Sequence, residues 1–328
     1  MDDNRPGSLP CPDTDHDGEA DLWDKTGNHC PSYLGRLPWK TLGLPELRDA
    51  SGEALWYALA PSLRDHAVVQ PINSIEPPAE IKVVGIEPAL DVAAVVIAPG
   101  HVLPGQRREG PGVDVAANYL EGQNVSLGDN VYETAAPSSG FNDRLLMITR
   151  DQLFDVVEWR VANEIRTALR RYYAAFQFFP YANSYSDSNY ACTPTLTRGR
   201  VPNADLSPSY PLRSCTGHAD WQPSLTPPIA PPPWFAENKW HLLTYYAVAP
   251  ACTRPTLNCS GSGFLTVNDQ GGAGAVVIVG GRAIASLSQV RPCAIENDCI
   301  EQPLAATNKY RRKARSVSFN DRVAVIVP

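Results

Sequence analysis

The feature that most restricts the fold of this chain is that it repeats itself. Phe141-Asn-Asp-Arg-Leu-Leu-Met-Ile returns as Phe319-Asn-Asp-Arg-Val-Ala-Val-Ile. Ala94-Val-Val-Ile-Ala-Pro-Gly returns as Ala275-Val-Val-Ile-Val-Gly-Gly, each followed within about a dozen residues by Gln and Arg. Trp56-Tyr-Ala-Leu-Ala-Pro61 returns as Tyr245-Tyr-Ala-Val-Ala-Pro250, and Pro38-Trp39 as Pro233-Trp234. The order is kept and the offset stays between 178 and 195 residues. Self-similarity at a long, steady spacing is the mark of one structural unit used twice. The expected architecture is therefore α+β with two tandem modules, residues 1–149 and 150–328.

Within that frame the clearest element is a helix over about 150–176. Thr149 and Gln152 make a capping-box pattern. Phe154, Val157, Val161, Ile165, Leu169 and Tyr172 then recur every three or four residues and give one apolar face, with Glu158, Arg160, Glu164, Arg166, Arg170 and Arg171 on the rest. Pro180 ends the pattern. Strands are expected at 81–86, 92–98, 145–148, 242–248, 275–279 and 323–327, where β-branched residues cluster between turn residues. A helix of this kind packs on a sheet. The first copy has no helix to match, so the repeat predicts one ahead of Asp2. Met1 directly before Asp-Asp-Asn-Arg-Pro-Gly reads as an added start.

Eight cysteines fall in close sequential pairs, Cys11 with Cys30, Cys192 with Cys215, Cys252 with Cys259 and Cys293 with Cys299. An even count with local pairing suggests disulfides and an extracytoplasmic location, although eight cysteines allow 105 connectivities. Zinc needs closer Cys spacing with histidine partners, and the six histidines are scattered. A formal charge of −7 argues against nucleic acid as a partner. No apolar run reaches the 18 residues of a spanning segment.

Residues 13 to 24 name a ligand. Counting Asp13 as the first position, Asp15, Asp17, Asp21 and Asp24 place carboxylates at positions 3, 5, 9 and 12, and Gly18 stands at position 6. This is the spacing of a twelve-residue calcium loop, which must gather six to eight oxygens at roughly 2.3–2.6 Å. Glu19 at position 7 would contribute its backbone carbonyl, Asp21 a direct or water-bridged oxygen, and Asp24 would close the shell. The alternative is a solvated acidic turn. Other chemistry is thin: Ser260-Gly-Ser-Gly lacks the elbow context of a hydrolase serine, and Gly271-Gly-Ala-Gly precedes a strand instead of following one. Asp143 and Asp321 read as turn residues, and no enzyme is expected.

The run Ala168-Leu-Arg-Arg-Tyr-Tyr-Ala-Ala-Phe-Gln-Phe-Phe-Pro180, a tyrosine-rich helix end followed by loops and strands, resembles a type IV pilin or type II secretion pseudopilin. Arg5-Pro-Gly-Ser-Leu-Pro-Cys-Pro-Asp-Thr-Asp15, Gly35-Arg-Leu-Pro-Trp-Lys-Thr-Leu-Gly-Leu44 and Leu47-Arg-Asp-Ala-Ser-Gly-Glu-Ala-Leu-Trp-Tyr57 look like segments of large prepilin-like proteins. The resemblance implies two pilin-like heads, other pilin or pseudopilin subunits as partners, and an inner-membrane helix that this chain does not contain. The expected function is a structural filament subunit stabilised by Ca2+. The alternative is a secreted ligand-binding protein or adhesin, with an extracellular hydrolase as a third reading.

Overall fold

A computed structural model describes residues 5–22, 29–65, 70–126, 129–187, 193, 195–202, 221, 225–253, 256, 258–301 and 307–328. The chain divides into two compact units. The first comprises Gly7–Ile72 and Glu76–Leu153; the second comprises Phe154–Pro328 with Met1–Pro6 and Asn73–Ile75.

In the first unit the strands are β1 (Leu34–Arg36), β2 (Trp56–Leu59), β3 (Ile81–Gly85), β4 (Ala89–Ala98), β5 (Val131–Thr134) and β6 (Arg144–Thr149). Helix α1, Arg150–Phe176, opens on the last residues of this unit and continues from Phe154 in the second. The second unit then contains β7 (Arg198–Arg200), the short helix α2 (Pro233–Glu237), β8 (Thr244–Val248), β9 (Leu265–Val267), β10 (Gln270–Ala273), β11 (Ala275–Val279), the short helix α3 (Glu296–Cys299), β12 (Lys309–Tyr310) and β13 (Arg322–Ile326). The class is mixed α+β, with antiparallel sheets predominating.

α1 forms where its sequence dictates. Gln152 N–H donates to Thr149 Oγ1 (3.3 Å) while Thr149 N–H donates to Gln152 Oε1 (2.8 Å), so the capping box is closed in both directions. Phe154, Val157, Val161, Ile165, Leu169 and Tyr172 are all buried. Gln177, at a left-handed φ of 63°, ends the helix. Glu158 departs from the expected solvent face. It is buried, accepts from Ser74 Oγ at 2.9 Å, and lies 3.6 Å from Arg322 Nε.

The two units repeat one strand plan. In the first, β1, β2, β4 and β6 are neighbours in that order; in the second, β7, β8, β11 and β13 are. The registers coincide residue for residue. Trp56 faces Ile97 as Tyr245 faces Ile278. Ile97 faces Leu145 as Ile278 faces Val323. Arg36 faces Trp56 as Arg200 faces Tyr245. The agreement extends to a parallel pair of long sequence separation, β3 with β5 and β9 with β12, which sets Tyr132 and Tyr310 in matching places. One difference stands out. β4 continues through both pairings as one strand with a bulge between Val92 and Ala94, whereas its counterpart is divided into β10 and β11 at Gly274.

A shared glycine shows why the register is fixed. Asp13 bridges Arg36, and Asn183 bridges Arg200. A Cβ on Gly35 would lie 2.6 Å from the Asp13 carbonyl oxygen, and one on Gly199 would lie 2.1 Å from that of Asn183. Each backbone approach therefore requires glycine. Leu-Gly-Arg and Arg-Gly-Arg are the sequence trace of this contact.

Disulfides join Cys11 to Cys30, Cys252 to Cys259 and Cys293 to Cys299. They fit an oxidising, extracytoplasmic environment. Cys192 and Cys215 lie outside the described residues. No helix among the described residues is long and apolar enough to cross a membrane.

Candidate functional site

The acidic stretch wraps into a loop anchored by Asp13, which is buried. Its Oδ1 accepts from His16 N–H at 2.6 Å and its Oδ2 from Gly18 N–H at 2.8 Å. Burial pushes the Asp13 carboxyl above its ordinary value, against the lowering effect of those two N–H groups. Asp21 Oδ2 accepts from both Thr14 N–H and Thr14 Oγ1 at 2.6 Å, which folds the far limb of the loop back. Asp15, Asp13 and Asp21 each present a carboxylate oxygen within 4.8 Å of the others.

Of the six sequence candidates, the structure thus gathers Asp13, Asp15 and Asp21. Asp17 uses Oδ1 to accept from Glu19 N–H at 2.7 Å, and Glu19 is exposed; neither side chain joins the group. Asp24 lies outside the described residues. Gly18 has two reasons to be glycine. Its φ is +86°, and a Cβ there would sit 2.6 Å from the Trp39 ring. Cys11–Cys30 ties the segment entering the loop, and Lys40 N–H donates to Gly18 O at 2.8 Å from the far side.

Next to the loop lies a cleft of about 330 Å3 with Asp13, Arg36, Trp39, Arg48, Glu53 and Tyr119 among its walls. Arg36 is 7% exposed, clamped between the Trp56 and Tyr119 rings with its guanidinium carbon 4.3 and 4.1 Å from their centroids. Burial lowers its pKa, while the Tyr119 hydroxyl and Glu53 support its charge.

A third constellation occurs twice. In the first unit Glu121 Oε2 accepts from Asn142 N–H (2.9 Å) and Asp143 N–H (3.2 Å), and Asp143 Oδ2 accepts in return from Glu121 N–H (2.9 Å). Gln106 Nε2 donates to Glu121 Oε1 at 2.7 Å, and Arg108 Nη2 donates to Gln106 Oε1 at 2.9 Å. In the second unit Glu301, Asn320, Asp321, Gln289 and Arg291 make the same contacts: Glu301 Oε2 with both turn N–H groups at 2.9 Å, Gln289 Nε2 with Glu301 Oε1 at 3.0 Å, and Arg291 Nη2 with Gln289 Oε1 at 3.4 Å. The Asn142 and Asn320 side-chain amides close each ring on His101 O and Arg282 O, both at 2.7 Å.

Burial, reinforced by the adjacent Glu121, pushes the Asp143 carboxyl up to about 7. Burial and Glu301 raise Asp321 well above the usual carboxylate range. Among the described residues, both Asp Oδ1 atoms are buried and have no hydrogen-bond partner. The Asn-Asp phrases were visible in sequence as turns; Glu121 and Glu301, some twenty residues away, were not.

No protein-family profile, curated protein or solved structure matches the chain.

Proposed function

We propose that the chain is a structural subunit of an extracytoplasmic filament, of the pilin or pseudopilin kind, whose first head is braced by calcium at the 13–24 loop. The observation that supports this most is a sheet face left partly open beside the buried cluster of Cys11, Cys30, Tyr57, Leu59 and Ala94. In the second unit the cross-strand row Tyr246–Val277–Ala324 belongs to the face that α1 meets: Asp155 pairs with Arg322, and Tyr172 lies within electrostatic reach of Tyr246. The matching row of the first unit is Tyr57–Val96–Leu146. There Leu146 is 65% exposed where Ala324 is fully buried, Arg144 is exposed where Arg322 is buried, and Leu9, Tyr33, Leu55, Val96 and Ile148 are only partly covered. An apolar sheet face rimmed by an arginine suits an amphipathic helix carrying acidic residues, and the pilin resemblance implies an N-terminal helix whose hydrophobic part packs into a filament core.

The test is Leu146→Glu. Loss of the subunit from sheared surface filaments of the producing cell, with the melting temperature of the isolated chain unchanged, is expected; normal incorporation would overturn the reading. The calcium component is checked separately. Addition of Ca2+ after chelation is expected to raise the melting temperature, because a ligand at a hundredfold excess over its dissociation constant stabilises by about 2.7 kcal/mol. Asp15→Ala is expected to shrink the shift, and no shift at millimolar Ca2+ removes calcium from the proposal.

A further inference from the structure

Most of the charged groups lining the cleft are held by close partners. Arg48 forms an ion pair with Glu46 and donates Nη1–H to Gly52 O at 2.9 Å. Glu53 pairs with Arg108 at 3.2 Å. Asp13 is engaged by the two N–H groups of its own loop. Arg36 makes no ion pair within 4 Å among the described residues; its guanidinium donates Nη1–H to one carbonyl, Ala54 O at 2.9 Å, and has the Tyr119 hydroxyl and the more distant Glu53 carboxylate nearby. A nine-tenths buried cation whose pKa is already pushed down by burial gains from an anion beside it.

The second unit shows what such a partner looks like. Arg200 occupies the matching register position and lies 5.0 Å from the Tyr185 ring. Its two terminal nitrogens donate to two carbonyl oxygens of its own chain, Nη1 to Tyr185 O at 3.3 Å and Nη2 to Cys293 O at 2.6 Å. Backbone oxygens thus fill the fork in one unit, while in the other the fork borders a cleft of small-molecule size.

We infer that the cleft of the first unit is a binding site for a small organic carboxylate, held by the Arg36 fork in place of the two carbonyl oxygens that occupy Arg200. A guanidinium matches two oxygens in one plane, which a carboxylate supplies and a neutral amide does not. Leu37, Leu47, Leu55 and Val113 give the cleft apolar walls, and Trp39 and Tyr119 give it aromatic ones, so the ligand is a carboxylate on a compact apolar or ring-bearing body. This site does not rest on filament assembly, and it shares the wall residue Asp13 with the acidic loop, which is why it is probed without calcium.

The probe is benzoate against its neutral isostere benzamide, titrated into the full chain in the presence of chelator and followed by backbone amide NMR. Benzoate is expected to bind saturably in the millimolar range, with shifts at Ala54, Leu55 and Val113, and benzamide at least about tenfold more weakly. Arg36→Lys keeps the charge but loses the fork, and is expected to weaken benzoate by a similar factor with the melting curve intact. Equal binding of benzamide, undiminished binding by Arg36→Lys, shifts confined to other regions, or absence of saturation by about 50 mM would each overturn the assignment. The wild-type shift map decides the matter even if Arg36→Lys fails to fold.

Discussion

The two units are built on one register and finished differently. Both have the four-strand core, the glycine under the bridging Asp13 or Asn183, and the Gln–Arg–Glu–Asn–Asp ring that closes the long loop before the last strand. The second unit covers its sheet with α1, buries Arg322 against two carboxylates and fills the Arg200 fork with its own backbone. The first leaves the equivalent arginine in solvent, the equivalent fork beside a cleft, and adds an acidic loop without a counterpart in its sister, where Asn183 takes the place of Asp13. What is common to both is what closes the fold, and what differs lies at the surface.

The sharpest way to break this comparison is at the paired arginines. Arg322→Ala removes the more buried of two arginines, the other being Arg315, that pair with Glu158 and Asp155; urea denaturation is expected to show a loss of about 3 kcal/mol. Arg144→Ala, at the same register position on the open face, is expected to cost no more than about 0.5 kcal/mol. Comparable costs would show that the two faces are not in different states.

The loop-closing rings are expected to behave alike, and pH tests them. Asp143 and Asp321 have folded pKa values raised above the ordinary 3.8, Asp143 to about 7. The native state therefore holds protons that the unfolded chain releases. This contribution is fully present below about pH 4 and is lost as pH rises through about 7. Glu121 faces Asp143; Glu301 and Arg291 face Asp321. Asp143→Asn and Asp321→Asn, which mimic the protonated form, are each expected to flatten the fall in stability between pH 5 and 8 by at least about 1 kcal/mol, since one pKa unit is worth about 1.4 kcal/mol. An unchanged pH profile in either variant would remove that ring from the pair.

The smallest effect concerns the element that only the first unit has. Gly18→Ala sets a Cβ against the Trp39 ring at positive φ. A loss of about 1 kcal/mol, read as a lower melting temperature in chelator, is expected. No loss would mean that the loop is not held against Trp39 as described.

Sequence reading succeeded where a local pattern decides structure. The capping pair Thr149 and Gln152, the apolar spacing from Phe154 to Tyr172 and the core strands β4, β6, β11 and β13 could all be read directly. It failed where the deciding contact is remote. β1 and β7 are three residues each, contain glycine and arginine, and exist because Asp13 or Asn183 lies against them. Glu158 reads as one more charge on a helix until Arg322, far along the chain, is brought to it. The acidic spacing marked Asp13, Asp15 and Asp21, which converge. It also marked Asp17, whose side chain caps the local backbone instead of joining that group.

The length of β4 has a mechanical meaning. Ten residues of strand at about 3.3 Å each make a tie roughly 33 Å long that belongs to both pairings of the first unit at once. A bulge between Val92 and Ala94 divides that tie into a part held by β3 and a part held by β2 and β6. In the second unit the joint is at Gly274, so β10 can part from β9 while β11 remains held between β8 and β13. Both units therefore have a joint between the core strands and the parallel pair, a bulge in the first and Gly274 in the second.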